Sequence, residues 1–165
     1  MTEQLEKQIA ALEARHEIEQ LKYRYLRACD AKDPQAFRDC FVPEGADLDY
    51  GPLGKFDTVD DLVAIYERIA LAKGEDGYFI LDMHHAMHPS IDIISETEAV
   101  GQWTLRFRQV NLHDRTERLT CGNYDDSYVK VDGQWRIRKH HFHALWSVAR
   151  PLPEGASVMQ LGWGE

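Results

Sequence analysis

Residues 119–148 read LTCGNYDDSYVKVDGQWRIRKHHFHALWSV, two alternating runs joined at Asp132-Gly133. An Asp-Gly pair between such runs is a strong hairpin signal, because both residues tolerate the positive φ of a tight turn. It predicts strands over Leu119–Val131 and Gln134–Val148. Working back toward the N-terminus, Ala99–Leu112 ends at His113-Asp-Arg, and Met83–Ile94 ends at Ser95-Glu-Thr. Four long strands separated by turn signals make a meander. Before Gly77 the period changes. Leu5, Ile9 and Leu12, then Ile18, Leu21, Tyr25 and Ala28, recur at helical spacing. Asp33 can cap and Pro34 can open a short helix through Phe41. Ala46–Tyr50 reads as a strand closed by Gly-Pro-Leu-Gly. Thr58-Val-Asp-Asp61 resembles a capping box and starts a helix to about Ala72, with Leu62, Tyr66 and Ile69 on its apolar face. Helices followed by a strand meander predict an α+β fold, with helices packed on one face of a curved, mainly antiparallel sheet.

The chain has 165 residues and no linker or repeat, so one domain over 1–165 is expected. A tail from 149 to 165 keeps Met159, Leu161 and Trp163, apolar residues expected to cover the pocket, a neighbouring subunit or their own domain. With 44% hydrophobic and 28% charged residues, the balance is that of a globular protein rather than a disordered one. A net charge of −9 repels phosphate backbones and argues against nucleic acid as a partner. Arg106, Arg108, Arg115 and Arg118 are interrupted by Asp114 and Glu117 and read as a solvated face. Three cysteines without metal-type spacing fit free thiols in a reducing compartment. No apolar run approaches the roughly 20 residues that cross a bilayer, and the start MTEQLEKQIAALEARHE lacks a signal-peptide core. A cytoplasmic protein without a membrane partner is expected.

The histidines are the unusual feature. In an unbroken strand, His84, Ala86 and His88 of Met83-His-His-Ala-Met-His88 share one face. In the last strand, His141 and His143 share a face with Trp135 and Ile137. Buried imidazoles need partners, and a polar-lined cavity against the sheet supplies them. No carboxylate or thiolate stands at a metal-ligand spacing, so no metal is expected. There is no nucleophile elbow and no glycine-rich phosphate loop. What remains is proton chemistry without a cofactor. On periodicity alone, Tyr25 reads as a core aromatic and Asp30 as a capping or solvated carboxylate near the helix end.

The segment Leu21-Lys-Tyr-Arg-Tyr-Leu-Arg-Ala-Cys-Asp30-Ala-Lys-Asp33 resembles the first-helix signature of SnoaL-like proteins, a branch of the nuclear transport factor 2-like superfamily. Phe41-Val-Pro-Glu-Gly-Ala, Met83-His84, Gly101-Gln-Trp103 and Asp132-Gly-Gln-Trp135 match later features, so the likeness covers roughly residues 15 to 148. It implies a cone-shaped fold enclosing a pocket. Within that branch the chain is similar to bile-acid 7α-dehydratases and, further off, to scytalone dehydratases. That similarity implies that Tyr25, Asp30 and His84 match a catalytic tyrosine, aspartate and histidine. Two positions depart from the bile-acid pattern: no arginine stands near His143-Ala144, and Phe107 stands where a second aspartate is expected. Steroid dehydration is therefore not carried over.

The expectation is a cofactor-free lyase acting on an aromatic or polycyclic hydroxylated small molecule, by dehydration or a related elimination such as formaldehyde loss. His84 would be the base and then the acid, since histidine ordinarily titrates near pH 6.5. Asp30 would fix its tautomer, and Tyr25 would donate to a substrate oxygen. His143, His141, Tyr50, Trp103 and Asn123 are candidates for the substrate-binding wall. The alternatives are a cofactor-free isomerase or polyketide cyclase, and a non-catalytic module such as the small subunit of a ring-hydroxylating dioxygenase. The family implies a homo-oligomer, a trimer or a dimer.

Overall fold

The computed structural model describes residues 2–162, so Trp163 lies outside the described residues. The first helix, α1, runs Thr2–Ala31. Only its second half is buried, through Ile18, Leu21, Lys22, Tyr25 and Leu26, while Leu5, Ile9 and Leu12 are exposed. It stops at Lys32, which takes a left-handed φ of 62° and ties the next turn back through Asp33 N–H to the Ala28 carbonyl, 3.0 Å. The Asp33 carboxylate then accepts from Ala36 N–H at 2.9 Å and caps α2, Pro34–Arg38. This helix ends before the expected Phe41. The Cys40 carbonyl accepts from Ile137 N–H and Val42 N–H donates to the Ile137 carbonyl, so pairing with the sheet replaces further helix.

Strand β1, Asp47–Asp49, is followed by a 3₁₀ turn at Gly51–Leu53 and by β2, Lys55–Phe56. Thr58 caps α3, Val59–Ala70, by accepting from Asp61 N–H, and its hydroxyl donates to the Asp61 carboxylate. A small hairpin, β3 at Lys73–Gly74 and β4 at Gly77–Tyr78, leads into the long strands. These are β5, Ile80–Ile93; β6, Glu98–Asn111; β7, Thr116–Val131; and β8, Gln134–Pro151. Asp132 and Gly133 take positive φ, 49° and 77°, at the β7–β8 turn. Six strands form one open sheet in the order β2-β1-β8-β7-β6-β5, antiparallel except where β1 runs parallel to β8. Among the described residues no helix is long and apolar enough to cross a membrane.

Three register shifts bend this sheet and decide which side chains face the helices. In β5 the shift falls between Met87 and Ser90, at His88 with φ 54°. In β8, Ile137 pairs with Tyr128 and Lys139 with Ser127, which leaves Arg138 as the extra residue. Leu145 is the second extra residue, between Ala144 and Trp146. A Cβ at Gly122 would collide with the His143 carbonyl and the Phe142 ring, so glycine is what lets β7 and β8 close at that second bulge.

The tail returns to its own domain. Gln160 clasps the Tyr78 backbone, its Oε1 accepting from Tyr78 N–H at 3.0 Å and its Nε2 donating to the Tyr78 carbonyl at 2.9 Å. Met159 and Leu161 on either side remain exposed. Because β8 extends to Pro151, the irregular tail starts later than position 149.

Candidate active site

Between the inner face of the sheet and the helices lies a cavity of about 420 Å³, within the usual range for small-molecule sites. Its helical side is apolar, formed by Leu62, Ile65, Tyr66 and Ile69 of α3 with Phe37 of α2. The sheet contributes Leu105, Phe107, Thr120, Tyr124 and Phe142. Tyr66 donates to the Ala28 and Cys29 carbonyls and so pins α3 to the end of α1. A larger groove of about 930 Å³ outside α1 and α2 is lined by Arg24, Arg27, Arg136 and acidic residues. Among the described residues it brings no histidine within hydrogen-bonding distance of a carboxylate.

His84 lies on the inner face of β5 and lines the cavity. Its Nδ1 is 2.6 Å from Asp30 Oδ1, and its backbone N–H donates to the same carboxylate at 3.1 and 3.2 Å. A carboxylate in the last turn of a helix opposes the helix dipole, so helix stability does not account for Asp30. Gripping both the ring and the backbone of His84 does. With Nδ1–H donated to Asp30, Nε2 carries the free lone pair. The ring stacks on Phe107, centroids 4.4 Å apart, directly across the β5–β6 register. Two residues earlier on the same face, the buried Asp82 accepts from Lys32 Nζ at 2.8 Å and from Gln109 Nε2 at 3.1 Å.

Tyr25 and Tyr50 also reach the cavity wall, their hydroxyls 3.1 Å apart. Behind them is a buried polar chain. Tyr25 Oη is 3.2 Å from His140 Nε2, His140 Nδ1 is 2.7 Å from Asp126 Oδ1, and Lys22 Nζ donates to Asp126 Oδ2 at 2.9 Å. Tyr128 donates to the same carboxylate and receives the Trp103 indole N–H. Lys22, His140 and Asp126 are shut off from solvent. Burial, reinforced by the Lys22 charge, lowers the His140 pKa to about 4, so the ring is neutral near pH 7. Burial alone would raise Asp126, but Lys22 and His140 outweigh it and hold the carboxylate ionised. Burial first, and each other's proximity second for Tyr25, pushes the hydroxyls of Tyr25 and Tyr50 well above the ordinary tyrosine range.

The remaining expected wall residues lie elsewhere. The extra residue Arg138 inverts the alternation expected in β8, so His140 joins Trp135 and Ile137 inside, and His141 and His143 turn outward. His141 bonds Asp47 at 2.8 Å, and Asn123, paired across from His143, is exposed. Trp103 is a core residue beside Tyr128. Lys22, Asp126 and His140 are not among the site residues expected from sequence. Lys22 does stand four residues after Ile18 and three before Tyr25, on the apolar arc, and that was its one signal.

The neutral buried histidine has a pH consequence. Its pKa is lowered by folding, so between about pH 6.5 and 4 the unfolded chain binds the extra proton and stability falls with pH. That gap corresponds to roughly 3 kcal/mol at full expression. Urea unfolding of wild type and His140→Gln, compared at pH 7 and 4.5, should show the flatter dependence in the variant. Equal slopes would mean that the ring is not held neutral.

A SnoaL-like domain model matches residues 10–141, most of the chain. The chain belongs to the SnoaL-like family. Solved structures share the fold of this SnoaL-like domain. A proposed scytalone dehydratase of Novosphingobium aromaticivorans is 24% identical, with a TM-score of 0.74 over 92% of this chain and 99% of its own. The LinA-type3 hexachlorocyclohexane dehydrochlorinase of Novosphingobium barchaimii is 14% identical, with a TM-score of 0.71 over 94% and 99%. A nuclear transport factor 2-like protein of Salmonella enterica is 18% identical, with a TM-score of 0.69 over 88% and 96%.

Proposed function

We propose that the cavity is the active site of a cofactor-free lyase that acts on an aromatic or polycyclic alcohol. The observation that carries this is the His84–Asp30 pair, 2.6 Å apart, with His84 at the wall of a 420 Å³ cavity whose helical side is apolar. His84 Nε2 takes a proton from the carbon beside the leaving group. The C–H electrons form the new double bond, the C–O bond breaks, and the imidazolium returns the proton to the departing hydroxyl, releasing water. Asp30 stabilises the imidazolium as it forms. Loss of formaldehyde uses the same base on a hydroxymethyl O–H, with the C–C electrons passing into the ring system and the proton returned there. That structural neighbours include a dehydrochlorinase and a proposed dehydratase supports elimination as the reaction class. Incubation with a panel of aromatic and polycyclic β-hydroxy compounds in D₂O, followed by NMR, tests this. Water loss, formaldehyde or deuterium uptake is the expected result. No chemical change across the panel would count against a lyase of this substrate class.

A further inference from the structure

The buried chain behind Tyr25 has a direction, and the direction says what the cavity wall offers. At its inner end Asp126 is an ionised carboxylate, held by Lys22 Nζ at 2.9 Å and by the Tyr128 hydroxyl at 2.8 Å. A carboxylate only accepts. His140 Nδ1, 2.7 Å away, must therefore carry the ring proton, because a bare Nδ1 would set two lone pairs against each other. A neutral imidazole has one N–H, so Nε2 is an acceptor. The Tyr25 hydroxyl, 3.2 Å from Nε2, donates its only proton there. The Tyr50 hydroxyl, 3.1 Å from that of Tyr25 and without another hydrogen-bond partner among the described residues, donates to the Tyr25 oxygen. Every proton in the chain thus points inward. What reaches the cavity is the Tyr50 oxygen with its lone pairs.

We infer that Asp126, acting through His140 and Tyr25, fixes Tyr50 as a hydrogen-bond acceptor, and that the site selects ligands presenting a hydroxyl donor, such as a phenol, to that oxygen. Lys22, Asp126 and His140 are positioning residues, and Tyr50 determines specificity. This reverses the donor role expected of the tyrosine side of the site. A ligand offering only a carbonyl or ether oxygen could draw the Tyr50 proton outward, but only by breaking the Tyr50–Tyr25 bond. Donors are therefore favoured over acceptors by about one hydrogen bond, roughly fivefold in affinity. The inference rests on the proposed function for what the cavity is for, while the chain's direction rests on its geometry together with the neutrality that burial and Lys22 impose on His140.

Two measurements on the whole protein test it without turnover. Nitrogen-15 NMR of the His140 ring should show Nδ1 protonated and Nε2 bare from pH 5 to 8, and a proton on Nε2 would overturn the direction. Calorimetric titration should show 2-naphthol binding at least about fivefold tighter than 2-methoxynaphthalene, which accepts but cannot donate. In Tyr50→Phe the ratio should fall to near one, and in His84→Ala it should persist. Equal binding by wild type, no binding of naphthol, or a preference that survives Tyr50→Phe and vanishes in His84→Ala would each overturn the selectivity. If the preference holds and the substrate panel gives no product, the lyase reading fails while this one stands.

Discussion

His84→Ala should keep its fold and lose at least ~10²-fold in turnover on any alcohol that the wild type converts, the low end for a positioned general base. The side chain is made to be dispensable for folding. It is partly solvent-exposed, with 16% of its surface accessible, and its main tertiary contacts are the Asp30 carboxylate and the Phe107 ring. Removing it leaves a space that opens on the cavity rather than a sealed void, so the usual penalty for truncating a core residue is largely absent. Asp30→Asn should also lose rate, because an amide can hold Nδ1–H but cannot balance an imidazolium. Turnover would be compared with far-UV circular dichroism and urea midpoints. Full activity in His84→Ala would end the assignment. Loss of activity in strict proportion to loss of folded protein would make the pair structural.

The second large effect is on stability. Asp126→Ala should cost about 3–5 kcal/mol, because it leaves the Lys22 ammonium buried without its counter-charge. Lys22 has no route to water, and its other close neighbours are aromatic faces, with Tyr124 centred 3.6 Å from Nζ. A cation–π contact of about 2 kcal/mol does not replace a buried ion pair. His140 and Tyr128 would lose their acceptor in the same step. In a domain of this size such a loss lowers the unfolding midpoint by roughly 10 °C. Lys22→Met combined with Asp126→Leu should recover much of it, since removing both charges leaves no unpaired ion. A deficit under about 1 kcal/mol in the single variant would show that water reaches Lys22.

The fold was legible where local chemistry and tertiary structure agree. Asp132-Gly133, Asp33-Pro34 and Thr58–Asp61 each satisfy a backbone requirement within a few residues, and each stands in the structure as read. The site was legible only in part. Alternation carries facing correctly until a strand gains a residue, and nothing at Arg138 marks it as the one that would be left over. One extra residue was enough to exchange His140 for His141 and His143. Lys22 was hidden for a different reason. A lysine inside an apolar helical arc is ordinarily read as exposed, and its burial depends on Asp126, 104 positions away.

Tyr50 follows a strand of three residues, paired with β8 on one side and covered on the other by the two residues of β2, whereas His84 sits in a strand of fourteen. The two polar ends of the cavity are therefore anchored with unequal firmness. Sub-global opening begins where few backbone bonds must break together. Amide protons of Asp47–Asp49 should exchange with deuterium well before those at the centres of β6 and β7. A rigid polycyclic ligand would then enter and leave past the loop around Pro52 and Leu53, through brief excursions of that edge, while the base stays in place.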